Sequence, residues 1–386
     1  LQVTTILAIP EEETCAAAAA IPPERKRHLY GPVLDFTLMG GGSAVVMLLL
    51  FLFWPQEWNT YELAAAMLLV ANVINHPHFA HSYQLFYSRF RSRALGRAFP
   101  LGLRVRYIFS GVVVPAVLVT FFAYCIWSGA LNLIGYAANL MFFLVGWHYV
   151  KQGYGMLMLD AAFKRNFFSA AEKKFILWNC YVVWVTSWVL YNQIFSKGLY
   201  WNIKYAVFKI PHSIFQVLAT TTFLSFICLG LLFLRKYRNR KSGAIPVNGI
   251  VAYLTSVYPW LLVTSPVILL VIPAFHSLQY LAVVWRYSIN RERLLRLSAK
   301  NRPFQSYGSW MHISLFILCG FILGYTGFWL VPELLERLFY SQSVSYGGTL
   351  YLFVCWVFIN IHHFFLDNVI WRKDNPDTKL HLFDVA

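Results

Sequence analysis

Residues 75–87 read NHPHFAHSYQLFY, which places His76, His78 and His81 within six positions of an otherwise apolar run. Each imidazole has two ring nitrogens that need partners, so histidine is costly in an apolar segment unless it has a task there. Neutral imidazole is also the commonest protein ligand for transition metals, and this density of rings points to metal or haem binding. Similar elements recur as WHYVKQ (147–152), FHSLQY (275–280) and NIHHFFLD (360–367), adding His148, His276, His362 and His363. Seven of the eleven histidines thus fall in four apolar stretches. Residues three or four apart share a helix face. That spacing joins His78 to His81, His148 to Gln152, His276 to Gln279 and Tyr280, and Asn360 to His363 and Asp367.

The expected ligands are His78, His81, His148, His276, His363 and Asp367, with His76 and His362 next. Gln152, Gln279 and Asn360 are expected to bind the cofactor or orient its ligands. Tyr154 and Tyr280 are candidate proton donors, and Lys151, three residues after His148, is a candidate functional charge. Imidazole with oxygen donors suits iron, zinc, copper or manganese, and the lack of nearby thiolate or thioether argues against a soft copper(I) site. Seven histidines and a carboxylate exceed the needs of one ion. The reading is a dinuclear centre, iron first, with zinc, copper or haem b as alternatives.

The elements that must carry these residues follow from composition. The chain of 386 residues is 59% hydrophobic and 12% charged, against about 25% charged in ordinary soluble domains. It reads as an all-α, polytopic integral membrane helical bundle. The formal charge of +16 falls in short bursts between apolar runs, as cytoplasmic loops require, so it is read as topology and not as nucleic-acid binding. A bilayer core of about 30 Å takes roughly 20 apolar helical residues. Ten spans satisfy that length, near 34–54, 61–87, 107–127, 131–159, 175–196, 214–234, 247–264, 266–287, 309–330 and 347–371. Six basic clusters lie two spans apart throughout, which puts both termini on the cytoplasmic side. The tight place is 247–287, where two spans share a turn near Ser265 and Pro266. Residues 1–33 form an N-terminal cytosolic segment without an assigned role, 34–373 one transmembrane domain, and 374–386 a cytosolic tail. The outer loops 196–212 and 332–347 read as interfacial helices, and Gly40 to Gly42 as a close-packing patch. The six scattered cysteines form no C-x-x-C pair and read as packing residues.

All four histidine-bearing spans are even-numbered and run inward. His81, His276 and His363 precede the basic ends of their spans by eight to ten residues, so the rings share a layer about 12–15 Å from the cytoplasmic side. On HPHFAH and NIHHFFLD the chain resembles the integral-membrane histidine-box enzymes, the fatty-acid desaturases and hydroxylases, and more loosely the membrane carotenoid-cleaving oxygenases. Those desaturases carry H-x-x-x-H and H-x-x-H-H boxes, whereas here the elements lie on four separated spans. The resemblance implies non-haem iron, dioxygen and a lipid or isoprenoid substrate entering from the bilayer. It also implies a separate electron donor, for which the basic cytosolic face is a docking surface. The alternatives are a bis-histidine haem electron carrier, a metal-ion or proton transporter, and a structural subunit of a membrane complex.

Overall fold

A computed structural model describes residues 28–53, 60–194, 199–200, 203–204, 206–238, 243–262, 266–298, 305–340 and 348–384. The readings for residues 1–27, for Ser265 and for the last two residues lie outside the described residues. The chain is a helical bundle. Helices α1 (Pro32–Phe53), α2 (Thr60–Val70), α3 (His76–Tyr87), α4 (Leu101–Trp127), α5 (Leu131–Phe163) and α6 (Ala170–Ile194) come first. A two-residue antiparallel pair, β1 (Leu199–Tyr200) and β2 (Ile203–Lys204), separates them from the rest. Then follow α7 (His212–Arg238), α8 (Val247–Val257), α9 (Pro266–Ser298), α10 (Gln305–Tyr325) and α11 (Leu350–Ile370).

Six segments are long and apolar enough to cross a membrane: α1, α4, α5, α7, α11 and the run Trp310–Leu338 that continues α10. Six, not ten, is therefore the number that length and composition support among the described residues. α3, α6 and α9 are helical where spans were expected. α8 is the clearest departure. Its 11 residues rise only about 16 Å, short of a bilayer core, before the chain turns through the 3-10 helix Pro259–Leu261. The loop after α6 pairs as β1 and β2 instead of forming the expected helix. In the later outer loop, Val331–Leu338 is helical and residues 341–347 lie outside the described residues.

Burial sorts the helices. The apolar windows of α5 and α11 are 56% and 61% buried, while those of α7 and Trp310–Leu338 are each 17% buried and leave large apolar side chains on the outside. Small residues bring the elements close. A Cβ on Gly40 would lie 2.7 Å from the Ala252 backbone, so the expected close packing there is between α1 and α8. Gly320 and Gly324, four apart on α10, meet the His81 ring and the His76 backbone of α3 in the same way. Ser169 and Glu172 cap α6 reciprocally, each side chain accepting the other's backbone N–H.

Three helical runs are interrupted by one turn of π-helix, at Ala71–Asn75, Phe109–Val113 and Thr326–Leu330, and α1 is kinked at Gly40, whose backbone is non-helical. Such turns insert a residue and free backbone groups, and they concentrate at functional sites.

The C-terminal segment is packed beneath the bundle. Arg93 donates to Asp377 at 2.5 Å, Asn375 donates to the Val369 and Ile370 carbonyls, and Asn290 donates to the His381 carbonyl at 2.7 Å. Burial pushes the His381 imidazole down from 6.5 to about 4; Arg291, Arg89 and Arg93 push the same way, and Asp377 opposes them. The folded state therefore favours neutral His381, so this contribution is complete above pH 6.5 and declines as pH falls toward 4, by on the order of 3 kcal/mol. Hydrogen exchange over residues 371–384 should lose protection across that window. The His381→Phe variant should show a flat profile, and an equally steep one would count against His381 as the cause.

Candidate metal centre

Four of the expected histidines converge. His78 of α3, His148 of α5, His276 of α9 and His363 of α11 are all buried, and one ligand atom from each lies within 4.8 Å of the other three. The Nε2 atoms of His148 and His363 face each other at 3.2 Å. That is close to the edge of a coordination shell, about 2.9–3.3 Å for metal–nitrogen bonds of roughly 2.0–2.1 Å. Asp367 Oδ2 lies 3.5 Å from both of those nitrogens. The ring centroids of neighbouring tetrad members are 4.5–4.9 Å apart and mostly edge to face, so the nitrogens point to a common centre and not past one another.

The donor atoms fit a cation. Buried polar atoms are nearly always hydrogen-bonded. Here His78 Nε2, both ring nitrogens of His276, His363 Nδ1 and Asp367 Oδ2 are buried without a hydrogen-bond partner among the described residues. A metal ion at the centre would take one nitrogen from each ring and would relieve His78 Nε2, one nitrogen of His276 and Asp367 Oδ2. The group can hold a metal ion. A porphyrin, in contrast, would have to pass between nitrogens 3.2 Å apart, so the arrangement suits a bare ion better than haem.

The surroundings fix the rings. Ser277 Oγ donates to Asn75 Oδ1 at 2.7 Å and lies 3.1 Å from His78 Nδ1, so that nitrogen carries the proton and donates to Ser277. The Nε2 lone pair of His78 is thereby directed at the centre. Tyr280 donates to Asp367 Oδ1 at 3.0 Å and shares a 2.5 Å hydrogen bond with Ser82, leaving Oδ2 turned toward the histidines. His276 stacks on Tyr149 with centroids 3.7 Å apart. Sequence spacing gave no sign of Ser277 and Asn75, because their partnership with His78 runs between helices.

The other expected residues divide. His81, His362 and His76 do not join the tetrad. Trp285 donates to His81 Nε2 at 3.3 Å and His81 Nδ1 donates to Gln84 at 2.7 Å, so both nitrogens are engaged. His362 donates from Nε2 to the Ser110 carbonyl at 3.0 Å and accepts at Nδ1 from Tyr83 at 2.9 Å. His76 stacks on Phe328 at 4.1 Å. The dinuclear expectation needed these rings, and the set that converges has ligands for one ion. Gln152 donates to the His276 carbonyl and to Gln279, whose Oε1 also accepts from Ser256, so both brace α9 against its neighbours. Asn360 donates to the Trp356 carbonyl of its own helix. Lys151 is exposed and donates to Asn368 at 2.6 Å. Tyr154 packs against the core that holds Cys180 and Tyr253.

Alanine at His78, His148, His276 or His363 should each abolish stoichiometric metal binding, while alanine at His76, His81 or His362 should retain it. Metal analysis of the purified variants decides this, and equal loss in both groups would restore a seven-histidine site. Ser277→Ala should weaken metal affinity by about 10–100-fold without removing a ligand. No family model, no curated protein and no solved structure matches the chain.

Proposed function

We propose that the tetrad binds one iron ion without haem and that the protein is a membrane-embedded oxygenase acting on a lipid or isoprenoid substrate. The observation that carries this reading is the convergence of four buried imidazoles and the Asp367 carboxylate, with unpartnered donor atoms, inside an apolar bundle. Nitrogen and carboxylate donors suit iron. Four histidines alone would close a tetrahedral zinc site, whereas an octahedral ion keeps positions open for reactants. Iron in this setting supplies the binding and activation of dioxygen.

The protein's own groups supply the rest. The bundle excludes water from the centre and offers an apolar wall to a chain entering from the bilayer. Tyr280 holds a proton against Asp367, one hydrogen bond from the tetrad's carboxylate, and Ser82 connects to it. An electron donor with an acidic surface would dock on the basic end of the bundle, where Arg89, Arg91, Arg97 and Arg104 cluster. In this reading that end faces the cytoplasm, with both termini there.

Elemental analysis and an absorption spectrum of the detergent-purified protein test the reading together. About one iron per chain and no Soret band is the expected result. A Soret band, or failure to retain iron after anaerobic loading with ferrous ion, would overturn it. In the iron-loaded protein Tyr280→Phe should keep the metal and lower turnover by about 10²–10⁴-fold, the usual range for a lost general acid.

A further inference from the structure

Trp371 follows α11 directly, and its backbone N–H donates to the Asp367 carbonyl at 3.0 Å, which holds the indole within one turn of the carboxylate. Its Nε1 is buried without a hydrogen-bond partner among the described residues, and the Asp367 carboxylate and the Tyr280 hydroxyl both lie beside it. The Tyr280 and Trp371 rings meet edge to face with centroids 5.7 Å apart. Tyr280 in turn donates to Asp367 Oδ1 at 3.0 Å. Two oxidisable rings therefore lead away from the carboxylate of the centre. The outer one is half-buried and is followed closely by exposed Lys373 and Asp374, so this end of the pair reaches water.

Indole and phenol are, with thiol, the side chains that give up an electron most readily, so contact between the two offers a route for one. The centre has a second such neighbour: Tyr149 stacks on His276, and its ring centroid lies 5.2 Å from that of Trp260. Trp260 is only 3% exposed, so an electron taken from it cannot be replaced from water. Phe79 and Phe364, which also pack on the tetrad, resist oxidation. Charge favours Trp371 as well. The Asp367 carboxylate beside the indole stabilises a positive charge on it, whereas Arg93 and Arg291 near Tyr287, the next ring at 5.9 Å, oppose one there.

We propose that Tyr280 and Trp371 form a two-step electron relay that returns the centre to rest when dioxygen oxidises it with no substrate in place, drawing on a one-electron reductant of the ascorbate or thiol class in the water at Trp371. The relay rests on the oxygenase reading, which puts a redox-active ion in the tetrad. One electron leaves Tyr280 for the oxidised centre as the phenolic proton crosses to Asp367 Oδ1. One electron then passes from Trp371 to Tyr280, and that proton returns. The indole N–H has no hydrogen-bonded acceptor, so Trp371 keeps its proton and holds the positive charge until the reductant restores it. Each cycle takes one electron from the reductant and gives one to the centre, with no net change at either ring.

The test is a hydrogen peroxide pulse on the full chain, loaded anaerobically with ferrous ion in phosphatidylcholine nanodiscs without added substrate or reductant. Freeze-quench electron paramagnetic resonance and peptide mass spectrometry then locate the oxidised residues. The expected result is an organic radical, with oxygen adducts centred on Trp371. Trp371→Phe should keep its iron, lose that radical and move the adducts to the ligand histidines, while Trp371→Tyr should restore a radical of tyrosyl character. Ascorbate should quench the signal of the unaltered protein and spare the ligands. An unchanged radical in Trp371→Phe, adducts centred on Tyr149 and Trp260, or a Trp371 adduct that persists in metal-free His363→Ala would each overturn the relay. The oxygenase reading fails separately. A Trp371-centred radical with no oxygen entering any lipid leaves the relay standing and sinks the oxygenase, whereas lipid oxygenation without the radical does the reverse.

Discussion

Four imidazoles and a carboxylate turned toward one another in an apolar interior set the constraint that the rest of the bundle obeys. A buried polar atom without a partner costs about 1–3 kcal/mol, and several such atoms meet here. No one helix can relieve them, because His78, His148, His276 and His363 come from four different elements. The close packing of α3, α5, α9 and α11 is therefore bound up with whatever occupies the centre. A cation there would tie those helices to one point and couple its own affinity to the folding of the bundle.

Around that centre some donors are already spent while some acceptors are kept free. Ser277 and Asn75 use up the proton on His78 Nδ1, and Tyr280 occupies one oxygen of Asp367 while the other stays open. His81 and His362 follow the opposite rule, with both nitrogens engaged. The same residue type thus serves two purposes within a few ångströms, and what separates them is whether neighbouring hydrogen bonds leave a lone pair available.

Much of the layout was legible in the sequence because histidine is so unfavourable in an apolar segment that its presence marks a site. The four elements bearing the tetrad were identified by that cost alone, and His148, His276 and His363 followed with their helices. Finer geometry was not legible. His78 and His81 are three apart and share a face in an isolated helix, yet they differ by about 60° around the axis. In a crowded bundle that angle is enough for one ring to meet α9 and the other α10, where Gly320 leaves room for it. Ser277 stayed hidden because its importance lies in contact with Asn75, some two hundred residues away. The shortness of α8 was masked by an apolar stretch that continues beyond the helix through Pro259.

The π turns have a consequence for how the histidines are addressed. The turn Ala71–Asn75 ends one residue before His76, so everything after it is rotated relative to α2 by the extra residue, about 100° on an ordinary helix. The turn Phe109–Val113 supplies the Ser110 carbonyl that engages His362, and Thr326–Leu330 supplies Phe328 against His76 and Trp329 to Asn72. These single inserted residues act as a phase setting for the whole layer. A chain lacking one of them could keep every histidine, every span and nearly every side chain of this sequence, and still present the wrong ring to the centre.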